Sequence, residues 1–124
     1  MSQFEVRAHL KVRDGQLEGF KRQAAEMMRV TREKDTGTLA YDWFVSNDGT
    51  KCQVREAYVD ADALVEHALN VREAREAMFA EFAYDHQMTF YGDPSPRLLA
   101  LVDKVGVDAT WFTLLQALEP ASTR

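Results

Sequence analysis

One cysteine, Cys52, stands among 124 residues. That excludes an internal disulfide and argues against a thiolate zinc site, and it makes a reducing cytoplasm the expected location. Only three histidines occur, His9, His67 and His86. No two of them have the spacing of a helical metal-binding pair, so no metal is expected. Basic residues are outnumbered, 15 Lys and Arg against 20 Asp and Glu, for a net charge of −5. They are interleaved with acids rather than clustered, which excludes nucleic acid as the expected partner. No apolar run is long enough to span a bilayer, and the first residues alternate polar and apolar instead of forming a secretory leader, so no membrane partner is expected. A glycine-rich phosphate loop and a nucleophile elbow are also missing.

What remains is ordinary globular composition, 46% hydrophobic and 28% charged, on a length that suits one domain. Residues 3–13 alternate strictly, with Phe4, Val6, Ala8, Leu10 and Val12 on one face, and predict a half-buried strand. A helix follows from about Gln16 to Lys34, its stripe made by Leu17, Phe20, Ala24, Met27 and Thr31. "KDTGT" closes it, with Gly37 expected in the left-handed conformation. Two β-rich runs flank Asn47-Asp48-Gly49-Thr50 and predict a hairpin whose partner numbers sum to 97. Tyr41 then faces Glu56, Trp43 faces Val54, Val45 faces Cys52 and Leu39 faces Tyr58. Asp60 caps a helix to about Asn70, and a second helical stretch follows. "YDHQMTFYG" predicts a fourth strand, Ser95-Pro96 starts a short helix ending at Gly106, and "VDATWFTLLQAL" predicts a last strand.

The order β-α-β-β-α-β with a further α and β predicts an α+β, ferredoxin-like split βαβ fold with an antiparallel sheet. The core unit covers 1–92 and a helix–strand extension covers 93–124 of one domain. Helices on one side leave the other face of the sheet to be covered, and a second copy of the chain is the expected cover.

His67 is the residue that asks for an explanation. It interrupts an otherwise apolar helical stripe of Leu64, Ala68 and Val71. A core histidine donating to a neighbour is one account. The other is a pocket base oriented by Glu56, which the hairpin register places on the face this helix covers. Arg75 could instead be the ion partner of Glu56. Tyr41, Trp43, Tyr58, Phe79 and Phe82 are core aromatics by spacing, or the wall of a cavity for a flat ligand. Cys52 reads as an inert thiol, His9 as solvated or dimer-facing, and His86 as a surface residue.

Together Gly37, Leu39 and Tyr41, then Glu56, Tyr58, Ala63 and His67, with Asn70 beyond, resemble the pattern of the antibiotic biosynthesis monooxygenase family. The resemblance covers residues 3 to 92. It implies a dimeric α/β barrel, in which two ferredoxin-like sheets pack face to face, with a pocket inside each subunit. It also implies oxidation of a small aromatic or quinol substrate by O₂ without metal or flavin. His67 would be the base, Glu56 its orienter, and Tyr41, Trp43, Tyr58, Phe79 and Arg75 the substrate contacts. The alternative is a dimer of the same fold that only binds a small molecule or is purely structural; the fold also hosts isomerases of small phosphorylated compounds, proteins without known activity, and haem-degrading enzymes. The latter have an asparagine in the first strand, which is missing between Met1 and Gly15. A phosphorylated substrate would have only Arg55, Arg72 and Arg75 nearby.

Overall fold

The computed structural model describes residues 3–119. Its elements are β1 (Phe4–Val12), α1 (Leu17–Lys34), β2 (Thr38–Val45), β3 (Lys51–Tyr58), α2 (Ala61–Asn70), α3 (Arg72–Glu81), β4 (Ala83–Tyr91), α4 (Pro96–Val105) and β5 (Asp108–Phe112). The five strands form one sheet in the order β2-β3-β1-β4-β5. The first four pair antiparallel, as a ferredoxin-like unit requires. β5 joins β4 in parallel, so the sheet is mixed rather than wholly antiparallel. The last strand thus extends the edge of the chain's own sheet. It also stops at Phe112, well short of the run to Leu118.

Alternation along β1 sends Phe4, Val6, Ala8, Leu10 and Val12 into the core, where they meet the helices. One part of the core joins Ala8, Leu10, Cys52 and Val54 to Phe20, Met27, Val71 and Met78. The other joins Phe4, Val6, Tyr58 and Phe90 to Ala63, Leu64 and Leu98. Phe20, Phe90, Met78 and Leu98 are at most 1% exposed, and burying each contributes about 1.5–3 kcal/mol. The opposite face of the sheet carries Glu5, Arg7, His9, Lys11, Gln53 and Arg55 and no helix.

Local chemistry sets the boundaries. The Asp60 carboxylate accepts from the Ala63 amide at 2.8 Å, and the Ser95 hydroxyl accepts from Leu98 at 3.2 Å with Pro96 at the first helical position, the expected caps for α2 and α4. The hairpin closes with a four-residue loop, 47–50, and Asp48 accepts from Ser46 and Thr50. Those three donors hold its carboxyl down at about 2. The register from Tyr41–Glu56 to Val45–Cys52 is the expected one.

Two expectations fail beside the hairpin. A bulge intervenes before Ala40, so Tyr58 pairs with Thr38 rather than Leu39, and Leu39 is 53% exposed. Gly37 does not adopt positive φ. Its role is close approach, since a Cβ there would lie 2.7 Å from the Ala63 Cβ and 3.0 Å from Val59 Cγ2. The end of α1 therefore lies directly against the start of α2, and this contact positions the site.

Candidate active site

α1 ends at Asp35, whose backbone turns extended. An acid at a helix C-terminus opposes the helix dipole, so it needs compensating donors. Asp35 has three. Its Oδ2 accepts from His67 Nδ1 at 2.7 Å and Thr38 Oγ1 at 2.6 Å, and its Oδ1 accepts from Asn70 Nδ2 at 2.8 Å. The side chains of His67 and Asp35 are only 6% and 2% exposed. Burial pushes the Asp35 carboxyl up, but the bonds from His67, Asn70 and Thr38 outweigh it and hold the group below its ordinary range. The next turn of chain is fastened to α2 as well, with Glu66 accepting from the Thr36 amide at 2.7 Å.

A carboxylate can only accept, so Nδ1 of His67 carries the proton. In the neutral ring Nε2 then holds the lone pair. The imidazole edge packs against Tyr41, centroids 4.5 Å apart, with Tyr58 at 5.6 Å.

Glu56 is not the residue that orients His67; Asp35 is. Tyr58, two residues along the same strand face, donates its hydroxyl to Glu56 Oε1, while the run of α2 carries His67 over to the end of α1. Burial raises the Glu56 carboxyl, and the neighbouring His67 and the Tyr58 bond only partly offset it. The two carboxyls around the imidazole are thus driven in opposite directions, Asp35 towards the anion and Glu56 towards the acid. Burial, reinforced by Glu56, also raises Tyr41 and Tyr58 well above the usual phenol range. Both stay protonated donors.

Glu56 and His67 do share a cavity. It measures about 80 Å³ and is lined by Tyr41, Trp43, Glu56, His67, Arg75 and Phe79 among mostly apolar neighbours. Tyr58, expected on the wall, is fully buried and is not among the lining residues. Arg75 is on the wall and makes no ion pair among the described residues, with Glu56 or any other acid. Among the described residues the buried Trp43 indole N–H has no partner within hydrogen-bond geometry, although it approaches the Tyr41 hydroxyl closely enough to offset a little of that group's rise. Cys52 is buried and its thiol is pushed up to about 11, chiefly by burial, which keeps it unreactive.

His86 is a correction. Expected at the surface, it lines the cavity and stacks on Phe79, centroids 4.7 Å apart. A bulge in the β1–β4 pairing past His9 and a left-handed Asp85, φ 55°, turn it inward. Burial, with help from Arg75 and His9, lowers its imidazole to about 4, so it is neutral in the folded protein at pH 7. Asp35, Asn70, Thr38 and His86 are the site residues that the sequence reading left without a role. An acid at a helix C-terminus beside a Thr-Gly was the available signal for Asp35. Among the described residues, no group of three His, Cys, Asp or Glu side chains is placed to hold a metal.

The chain is thus a small α+β protein with a ferredoxin-like sheet, an internal pocket and a buried carboxylate–histidine pair beside it. Residues 3–80 match the antibiotic biosynthesis monooxygenase family, and the chain belongs to that family. Among solved structures it is similar to MupZ from Pseudomonas fluorescens, with TM-score 0.80, 24% identity and 98% of each chain covered. It is also similar to Rv0793 from Mycobacterium tuberculosis, with TM-score 0.63, 25% identity and 76% of this chain and 97% of that one covered. A Nitrosomonas europaea protein assigned to the antibiotic biosynthesis monooxygenases gives TM-score 0.65, 19% identity, and 77% and 93% coverage. No curated protein matches. The match to MupZ takes in the α4–β5 extension, whereas the other two leave about a quarter of this chain uncovered.

Proposed function

We propose that the protein is a monooxygenase that oxidises a hydroxy-aromatic, quinol-type small molecule with O₂ and needs no metal or flavin. The observation that carries this reading is His67 on the wall of an apolar cavity, with Asp35 bonded to its Nδ1 from behind. With Nδ1 committed to Asp35, His67 has Nε2 free to take the phenolic proton, and Asp35 stabilises the imidazolium that results. The phenolate is electron-rich enough to give one electron to O₂. Recombination of superoxide with the ring radical at an unsubstituted ring carbon forms a C–O bond. Loss of that carbon's proton and departure of water from the hydroperoxide leave a quinone carbonyl. One oxygen atom enters the product and the other leaves as water, so the substrate supplies all the electrons. Glu56, biased towards its neutral form, is placed to give the leaving oxygen its proton. The protonated Tyr41 can bond the substrate, and the apolar walls exclude water from the radical pair.

The reading includes a homodimer in the cytoplasm. Its support is the helix-free sheet face, which exposes Phe44 and Phe112 by 51% and 52% and also carries Arg7, whose buried Nε has no hydrogen-bond partner among the described residues. A second copy of the sheet would cover all three. No helix among the described residues is long and apolar enough to cross a membrane.

O₂ uptake with a panel of quinols and naphthols, comparing the parent with His67→Ala, tests the proposal. Uptake by the parent that falls at least about tenfold in the variant is expected. A parent inert across the panel would overturn it. So would turnover that continues without O₂, which would assign the pair to acid–base chemistry alone.

A further inference from the structure

The cavity holding His67 is too small for the substrate it is proposed to treat. At about 80 Å³ it is roughly half the size of an apolar protein cavity that accepts benzene. Beyond it, an open cleft of about 590 Å³ lies between α3, the bulge of β4 and the turn joining α4 to β5. Three residues line both spaces: Arg75, Phe79 and His86. The stacked Phe79 and His86 rings are therefore the partition, and Arg75 stands at its edge.

The partition lacks the hydrogen bonds that fix the two acid–base residues of the inner wall. His67 is fixed by Asp35 and Glu56 by Tyr58, while no side-chain hydrogen bond of Phe79 or His86 appears among the described residues, and both are only partly buried. The charges around the cleft differ in their commitments. Asp85 pairs with Lys11 at 3.0 Å and Glu76 with Arg72 at 3.6 Å. Arg75 is the cation shared by the two spaces and, like Asp108 across the cleft, it is in no ion pair among the described residues. A half-buried guanidinium without a carboxylate is suited to one brought by a ligand. The outer wall, Val105, Gly106, Val107 and Asp108, comes from the extension, and Val105 and Val107 offer apolar surface to a chain.

We propose that the site has two chambers, the inner one for a hydroxy-aromatic head and the outer one, built by the extension, for a side chain whose carboxylate is held by Arg75 as Phe79 and His86 swing aside. The inference rests on the cavity of His67 being a ligand site, as proposed above, but not on O₂ chemistry.

Calorimetric titration with phenol, 3-(4-hydroxyphenyl)propanoate and its uncharged amide tests it, since none of the three needs to be turned over. The acid should bind the parent about tenfold more tightly than the amide, the advantage of a charge-assisted pair. Arg75→Gln should abolish that preference, so that acid and amide bind alike. Val105→Trp, an exposed substitution that fills the outer cleft, should weaken both tailed ligands and spare phenol. Equal binding of acid and amide to the parent, a preference that survives Arg75→Gln, or no binding of any of the three would overturn the proposal. An acid preference that depends on Arg75, alongside quinols that consume no O₂, would uphold the two chambers and sink the monooxygenase reading.

Discussion

Asp35→Asn is the perturbation that bears most on the chemistry, because it keeps the shape of the side chain and removes its charge. An asparagine oxygen can still accept from His67 Nδ1 and Thr38. The Asn70 amide can turn over to pair with the new NH₂, so the fold should lose only about 1 kcal/mol. Catalysis should lose more. A hydrogen bond to a charged group contributes about 1.5–3 kcal/mol, and this one strengthens as the imidazole takes up the phenolic proton. Losing the charge therefore slows turnover roughly 10- to 150-fold at pH 7. The pH dependence of stability follows from the same group. The folded Asp35 carboxyl lies below its ordinary value, owing to the His67, Asn70 and Thr38 bonds that overcome its burial. Its contribution is present above the ordinary carboxylate range and is lost as pH falls through the folded value. Parent and variant should therefore differ in melting temperature at pH 7 and converge only as pH falls through the lowered folded value. The assay is O₂ uptake with the best quinol beside thermal melts across pH. A well-folded variant within twofold of parental activity would refute the role of Asp35.

Glu56→Gln should leave the Tyr58 bond intact and remove a carboxyl whose folded value is raised by burial. A raised carboxyl destabilises as pH climbs above the unfolded value, so the variant should melt higher than the parent at pH 8 and match it near pH 4; a lower melt at pH 8 contradicts this. Gly37→Ala should cost about 1–3 kcal/mol in chemical denaturation, because its Cβ would press on Ala63 at 2.7 Å, and a neutral result would show that α2 can give way. Leu98→Ala should cost about 2–5 kcal/mol, since this side chain is 1% exposed in the core under α4; a cost under 1 kcal/mol would mean that the extension is loosely attached. His86, lowered to about 4 mainly by burial, should remain neutral at pH 6 in imidazole NMR, and titration near its ordinary value would place it in solvent.

The parts of the fold governed by short-range pattern were legible. Alternation gave β1, and the Asp48-Gly49 turn with cross-strand parity gave the pairing of Tyr41 with Glu56 and Trp43 with Val54. Pattern failed wherever one residue interrupts a period. The bulge before Ala40 exposes Leu39, and the left-handed Asp85 turns His86 from the surface into the cavity. His67 was legible as a polar intruder on an apolar stripe. Its partner was not, because Asp35 lies 32 residues away and reaches it only through the packing of the end of α1 on α2. Glu56 was the nearest carboxylate by register, and it was already taken by Tyr58 on its own strand.

The central claim is that Asp35 makes His67 a base towards a phenol bound in the cavity. The most direct measurement is the ionisation of such a phenol, read by absorbance as 4-nitrophenol is titrated anaerobically into the parent and into His67→Gln. The account predicts a bound phenolate in the parent, at a pH where free 4-nitrophenol is mostly protonated, and a bound neutral phenol in the variant. The same ionisation in both proteins, or a protonated phenol in the parent, would contradict it.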